Sequence, residues 1–372
     1  MNRIAIPEYN MEDNPISGIS ELRAHLEQAL NDPSLPFDAK LLDDVELQLT
    51  EENTRNMTHI FLTPLTQILK STTQDPTPLL SLALKLLSPL SFTEALAVGD
   101  PPSLLTALGS PLSGANLLAL AIIQKAANSP ADATRLNTLP DVVEGLISCW
   151  MCTKHVGVAE GAAKVLGDVL QTDCDAPDII INGGSSTPQI NGTGVARRRM
   201  SGYGELWRLI LLYHPNLSLI QQYCTFNSTG QNSARTTLEV TTSQGRLLRI
   251  LPRLCTLNIN ILSYPIAPEV FTIPEAIQSD VGQVGLLQWA ALAMVDKSDM
   301  LMYLNLLDFF EVFVSTMRVS ARTAQSDTLI KKLLTTAIQD DSDLEIALRT
   351  LPNRTIEGES EPLRIYIDRL LD

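Results

Sequence analysis

The chain has 372 residues, of which 45% are hydrophobic and 19% charged, and its formal net charge is -15. This apolar content excludes a disordered acidic chain, because such chains lack the hydrophobic residues that a packed core needs. The acidic balance excludes general nucleic-acid binding, since phosphate contacts require a basic surface. Frequent leucine with only 5% aromatic residues favours helices over sheets.

The N-terminal sequence MNRIAIPEYNMEDNP has no apolar segment of the kind that begins a secretory signal, which predicts a cytoplasmic protein with reduced cysteines. The triplet Arg197-Arg198-Arg199 is similar to a nuclear-localisation signal, although it is shorter than the usual basic run. The nucleus is therefore kept as a second compartment besides the cytoplasm. The most apolar segment, residues 285–318, is interrupted by Asp308 and Glu311 among other polar residues, so we expect it to be buried in protein and not to span a membrane.

Predicted helical pairs follow one another along the whole chain. Each onset combines Pro or a capping residue with apolar positions spaced three and four apart. The onsets lie near Ile16, Met57, Pro102, Pro140, Gly204, Ser243, Gly282 and Asp327. Intervals of roughly 40 residues are typical of armadillo and HEAT repeats, whose helices cannot bury both faces without a neighbouring unit. We therefore predict an all-α fold, one armadillo/HEAT-like helical-repeat superhelix (α-solenoid) of about eight helical-pair repeats over residues 1–372.

The one long interval contains residues 173–199, which are rich in Gly, Ser, Asn and Pro and include the sequence DAPDIIINGGSSTPQINGTG. Their glycines do not form a phosphate-binding motif, because neither GxxxxGK[ST] nor a strand-flanked GxGxxG is present. We predict that residues 173–199 are a flexible insertion within the array.

The segment 300–318 is predicted to be a helix with two apolar faces and one narrow polar stripe. One apolar face contains Met302, Leu306, Phe309 and Phe313, and the adjoining one contains Tyr303, Leu307, Phe310, Val314 and Met317. The stripe contains Asp308, Glu311, Ser315 and Arg318, which are expected to project together from the exposed side. A helix covered on several sides is expected in the inner layer of a stacked solenoid.

Catalytic and metal-binding patterns are scarce. Cys149, Cys152 and His155 have the spacing of metal ligands, but a structural zinc site needs four ligands and no second pair lies at a usable distance, so we expect three positions on one turn of a buried helix. The four histidines are dispersed, and no nucleophile, base and orienting group can be combined. We therefore expect no enzyme activity, no metal and no cofactor.

Charged residues offer a different kind of site. Arg246, Arg249 and Arg253 share one helix face opposite three leucines, which is typical of a solvated flank and also suits contact with an acidic segment. Acidic residues cluster at positions 32–52 and 340–345, where they would attract a basic protein surface.

Four segments of the second half carry a family resemblance. In chain order they are GELWRLIL (204–211), QGRLLRILPRL (244–254), GLLQWAALAMVDKSDML (285–301) and LLDFFEVFV (306–314). They resemble the family of the 26S proteasome non-ATPase regulatory subunit 5, including its fungal members labelled mismatch-repair proteins. In the first half, ISELRAHLEQAL and LLDDVELQL are similar to the opening helices of that family.

The resemblance implies an armadillo/HEAT-like superhelix that acts as an assembly chaperone for the base of the proteasome regulatory particle. It implies that the concave groove holds the C-terminal small domain of an ATPase subunit. A chaperone of this type needs a curved surface and complementary charge, without cofactor or nucleophile. We expect a monomer whose inward-facing polar residues contact the partner, with Asp308, Glu311 and Arg318 first and Arg246, Arg249 and Arg253 next.

The sequence departs from the family pattern at two places. It ends at Asp372, earlier than the family pattern predicts, and it contains the insertion. Fewer repeats would leave one end of the array poorly capped and would weaken partner binding.

Two other functions suit the same fold. One is a generic armadillo-type scaffold or transport adaptor with another client. Importin-like adaptors line their grooves with recurrent Trp and Asn, whereas Trp150, Trp207 and Trp289 do not recur at one repeat position. A mismatch-repair role would have to act through a protein partner, because the net charge opposes direct contact with DNA.

Overall fold

The computed structural model describes residues 16–174, 202–226, 235–320 and 323–372. These residues form nineteen α-helices and two short 3-10 helices, and there is no strand among them. The prediction of an all-α fold is confirmed. The described residues divide into two compact units, with the boundary between Val169 and Leu170. Whether the helices form one continuous array of repeats stays a prediction.

The first unit is built from ten helices. They are α1 (Ile19–Asn31), α2 (Ala39–Gln48), α3 (Glu51–Ser71), α4 (Thr77–Leu87), α5 (Phe92–Val98), α6 (Pro101–Leu108), α7 (Ser113–Gln124), α8 (Pro130–Asn137), α9 (Pro140–Cys152) and α10 (Val156–Thr172), with a 3-10 helix at Lys125–Asn128. Helices that are close in sequence pack together: α1 on α3, α2 on α4, α3 on α7 and α6 on α9. Their shared core is mainly leucine, with Phe61 and Phe92 as its largest fully buried side chains.

The second unit begins within α10 and contains nine further α-helices. They are α11 (Glu205–Leu211), α12 (His214–Cys224), α13 (Thr237–Leu262), α14 (Glu275–Val281), α15 (Leu286–Leu292), α16 (Met300–Val319), α17 (Ala324–Ile338), α18 (Ser342–Thr350) and α19 (Glu357–Leu371), with a 3-10 helix at Leu351–Arg354. The most extensive pairing is that of α13 with α16. α16 also packs on α18 and α19, while α17 packs on α15 and α19.

Predicted helix starts agree with the structure where a strong local signal marks them. α9 begins at Pro140, α6 at Pro101 and α11 directly after Gly204, whose φ of 69° favours glycine. The starts predicted at Met57 and Ser243 are wrong, because α3 begins after Thr50 and α13 after Thr236. Both true starts are marked by a capping box, and a search for apolar periodicity does not register capping residues.

The described residues on either side of positions 175–201 are hydrogen-bonded to each other inside the second unit. The amide of Gly202 donates to the carbonyl of Cys174 at 2.9 Å, and that of Gly204 to the carbonyl of Asp173 at 2.9 Å. Asp173 is fully buried, and its carboxylate accepts the amide of Leu206 in the first turn of α11 at 2.7 Å. The first two residues of the predicted 173–199 insertion thus belong to the folded unit, while residues 175–199, including the arginine triplet, lie outside the described residues.

Helix α16 is the one described helix that is long and apolar enough, by length and mean hydropathy alone, to cross a membrane. The expectation that polar residues interrupt this segment too often for a span is wrong for α16, because only Asp308, Glu311 and Arg318 are charged among its 20 residues. Core helices pass the same criteria, and seven of its side chains are buried in the second unit, so this is weak evidence for a membrane.

Candidate protein-binding surface

The exposed side of α16 is mainly apolar. Leu301 is 70% exposed, Leu304 53%, Val312 42% and Val319 70%, and these residues recur at helical spacing around Asp308. Spacings of three, four and seven residues place all five on one side of the helix. Exposed apolar side chains that adjoin in this way are a mark of protein interaction sites. We refer to Leu301, Leu304, Asp308, Val312 and Val319 as the α16 surface.

The expected apolar faces of α16 are mostly buried, but the expected polar stripe is wrong. The buried side chains are Met302, Leu306, Phe309, Phe310, Phe313, Val314 and Met317. Glu311 and Arg318 lie on a flank and are only partly exposed, while Asp308 projects from the exposed side between Leu304 and Val312. The helix is apolar on its exposed side as well, so its four polar residues do not project together.

A shallow groove with a volume of about 80 Å³ lies along the packed pair of helices α13 and α16. It is lined by Gly245, Leu248, Arg249 and Pro252 of α13 and by Asn305, Asp308, Phe309 and Val312 of α16. Two predicted site residues from different segments, Arg249 and Asp308, therefore meet at one groove. A β-carbon at Gly245 would contact nothing within 4 Å, so this position leaves the groove open.

The groove also borders an interruption in the hydrogen bonds of α13. Pro252 lies inside the helix and has no amide hydrogen, so the carbonyl of Leu248 has no backbone donor four residues later. The backbone at Asn258 then departs from helical geometry and kinks the last part of α13. The lining of the groove is thus part apolar and part polar, with Arg249 and Asp308 as its charged residues, which suits a small side chain with a polar neighbour.

Glu311 and Arg318 are held by the C-terminal part of the second unit. Arg354 Nη1 donates to Glu311 Oε2 at 3.1 Å and Arg354 Nη2 donates to Glu311 Oε1 at 2.6 Å, an arrangement that raises the pKa of Arg354. Arg318 Nη2 donates to the carboxylate of Glu359 in α19. These pairs connect α16 to the segment that follows α18, so both predicted site residues already have a structural role.

We expect the Glu311–Arg354 pair to contribute about 0.5–1 kcal/mol to the free energy of unfolding, because Arg354 is 53% exposed and solvent screens the pair. Glu311→Ala and Arg354→Ala should each lower stability by that amount, and the double variant should lose little more. Urea unfolding of the four proteins in a double-mutant cycle measures the coupling. Strictly additive losses would contradict a direct interaction.

The three predicted arginines of α13 do not act as one patch. The leucines opposite them, Leu247, Leu251 and Leu254, are buried as expected. Arg249 is exposed and lines the groove, whereas Arg246 and Arg253 are partly buried. Arg253 Nη2 donates to the side-chain oxygen of Gln171 at 2.9 Å. Only Arg249 adjoins the α16 surface.

The residues Cys149, Cys152 and His155 do not share one buried turn. Cys149 is buried and Cys152 exposed, while His155 follows the end of α9. Over the described ranges, no group of three or more His, Cys, Asp or Glu side chains is placed to hold a metal ion.

Sequence reasoning missed Leu301, Leu304, Val312 and Val319. α16 is apolar around its whole circumference, so periodicity cannot tell which apolar side is covered by neighbours. A signal was available in the position of Asp308, because a charged residue at the centre of an apolar side indicates contact with water.

No protein-family model matches this chain, and no curated protein matches it. The class that the fold and surface define is therefore an all-helical protein whose second unit presents an apolar helix side bordered by charged residues.

Proposed function

We propose that this chain is an assembly chaperone of the 26S proteasome regulatory particle base, belongs to the subunit 5 family that its sequence resembles, and binds the C-terminal small domain of an ATPase subunit. In this proposal the helices form an armadillo/HEAT-like α-solenoid with the partner on its concave surface. The observation that carries the proposal is the α16 surface, which presents four exposed apolar side chains and Asp308 on one side of one helix.

The packing of the second unit supports this proposal. α13 packs on α16, and α16 packs on α18 and α19, which is the neighbour-on-neighbour arrangement that repeat proteins use. Two segments of the resemblance, 244–254 and 306–314, supply the two helices of the groove. The proposal further takes the protein to be a monomer of the cytoplasm, and also of the nucleus, that acts without catalysis or cofactor and without direct contact to nucleic acid or membrane.

Leu304→Asp is expected to weaken binding of an ATPase small domain by about a hundredfold, because it places a charge at the centre of an apolar contact. Asp308→Lys should weaken binding about tenfold if a basic group of the partner faces Asp308. Binding is measured by titration calorimetry with each recombinant ATPase small domain of the same organism.

Ile365→Asp is the matched control. Ile365 is 62% exposed on α19 and is not one of the residues of the α16 surface, so the variant introduces the same charge in the same unit and should bind like the unmodified chain. If no ATPase small domain binds the unmodified chain, the chaperone proposal fails. If one binds and the α16 variants leave its affinity unchanged, the function stands and the assigned surface is wrong.

A further inference from the structure

A groove with a volume of about 670 Å³ lies between α6 and α9 of the first unit. Leu105 and Leu108 of α6 line one wall, and Gly145, Ser148, Cys149 and Cys152 of α9 line the other. This volume is within the range of sites that bind ligands or partner side chains. The groove is independent of the α16 surface and of the function proposed above.

The side chains of α9 that line the groove are mostly small, so they leave its volume unfilled. Asp141, Gly145, Ser148 and Cys152 follow spacings of four, three and four residues and therefore share one side of the helix. A β-carbon at Gly145 would lie 2.8 Å from Leu105 Cδ1, so glycine allows α6 to approach α9 at this point. Leu105 remains 42% exposed and makes the α6 wall of the groove apolar.

The two ends of the groove carry opposite charge. Asp141 and Glu144 lie in the first turns of α9, while Lys154 and His155 follow its C-terminus. At 1.5 Å per residue the two ends are about 20 Å apart. Asp141 and Glu144 are exposed, and neither has an ion-pair partner within the described ranges of the chain.

We propose that this groove binds one amphipathic helix of a partner protein, antiparallel to α9, with a basic C-terminal end over Asp141 and Glu144 and an acidic N-terminal end near Lys154. An apolar side of that helix would cover Leu105 and the small residues of α9. A helix of about four turns spans the two charged ends. The groove offers no row of unpaired backbone groups for an extended strand, and antiparallel helix dipoles attract each other.

The probe is a stapled helix of about 14 residues with leucines along one side, two glutamates at its N-terminal end and two arginines at its C-terminal end. A second peptide has the same composition with the charged ends exchanged. We expect the first peptide to bind the full chain about tenfold more tightly than the second, because exchanging the charged ends turns attraction into repulsion at both ends of the groove. Fluorescence anisotropy of the labelled peptides measures both affinities.

The double variant Asp141→Lys/Glu144→Lys should reverse this preference. Both residues are exposed, so the variant is expected to fold, and its preference for the charge-exchanged peptide cannot arise from lost stability. The control is Glu51→Lys/Glu52→Lys, which changes two exposed carboxylates in the first turn of α3 in the same unit and should leave both affinities unchanged.

Cys152 gives an independent readout of where the peptide binds. Its thiol is exposed in the groove and lies 2.7 Å from the carbonyl oxygen of Ser148, whereas Cys149 and Cys224 are buried. The bound peptide should slow alkylation of Cys152 by N-ethylmaleimide about tenfold, as measured by peptide mass mapping. Equal affinity for the two peptides, an unchanged preference in the lysine variant, unprotected Cys152, or no peptide binding would each overturn the proposal.

Discussion

Asp341→Ala is expected to lower the free energy of unfolding by about 2–4 kcal/mol, because one buried carboxylate connects three parts of the second unit. Asp341 Oδ2 accepts from Lys297 Nζ at 2.6 Å, and Oδ1 accepts from Tyr303 Oη at 2.5 Å. Oδ1 also accepts the backbone amide of Leu344 at 3.0 Å and so caps α18. Alanine would remove the cap and leave two donors without their acceptor.

Two further substitutions isolate the cause. Asp341→Asn keeps a capping oxygen but loses the charge that faces Lys297, so its cost should be about 1 kcal/mol. Asp340→Ala changes the adjacent exposed carboxylate and should have no measurable effect. Urea unfolding measures the free energy of unfolding of each of the three variants and so ranks their stabilities. Equal stability of Asp340→Ala and Asp341→Ala would show that the contacts of Asp341 do not stabilise the fold.

The contribution of Asp341 should depend on pH. Burial by itself raises the pKa of this carboxyl, but the hydrogen bonds from Lys297, Tyr303 and Leu344 outweigh that effect and leave the pKa below its usual value. A lowered folded-state pKa stabilises the protein above the unfolded pKa of about 3.9, and this stabilisation disappears as the pH falls through the folded pKa. The stability difference between the unmodified chain and Asp341→Asn should be constant near neutral pH and shrink below about pH 4.

The pKa of Tyr303 shifts in the opposite direction from the pKa of Asp341. Burial and the hydrogen bond to Asp341 raise the pKa of its phenol. The hydroxyl therefore stays protonated over the range in which Asp341 is ionised, and it remains a donor to the carboxylate.

Gly202→Ala is the second substitution with a large expected effect, and it should lower the free energy of unfolding by about 2–4 kcal/mol. A β-carbon at Gly202 would overlap the backbone of Asp173, which is not able to move away as a flexible side chain could. The overlap would break the hydrogen bond from the Gly202 amide to the Cys174 carbonyl and disturb the buried Asp173 carboxylate beneath α11.

The effect of Gly202→Ala should extend to α11. Trp207 Nε1 donates to the carbonyl of Leu170 at 2.8 Å, close to the point where Asp173 receives the first amides of that helix. Hydrogen exchange of residues 205–211 measured by mass spectrometry should therefore increase together with the loss of global stability.

Gly358→Ala is the control for Gly202→Ala. A β-carbon at Gly358 in α19 would meet nothing within 4 Å, so this variant should be as stable as the unmodified chain or slightly more stable. If both alanine variants unfold at the same urea concentration, the close approach at Gly202 has no energetic importance.

Part of the candidate site follows from local sequence patterns, and part does not. The buried sides of α13 and α16 could be predicted because their leucines and phenylalanines recur at helical spacing. The partners of Glu311 and Arg318 could not be predicted, because Arg354 and Glu359 lie more than 40 residues further along the chain. The meeting of Arg249 with Asp308 likewise requires that α13 pack on α16.

Local chemistry by itself determined that the chain is helical, where Pro140, Pro101 and Gly204 start its helices, and that Leu247, Leu251 and Leu254 face a core. Each of these depends on contacts within a few turns of one helix. Tertiary structure alone decided that Leu301, Leu304 and Val312 stay exposed, that Asp173 is buried, and that Asp141 and Leu105 border one groove. Those outcomes depend on which surfaces are covered by segments distant in sequence, and a periodic pattern carries no information about distant segments.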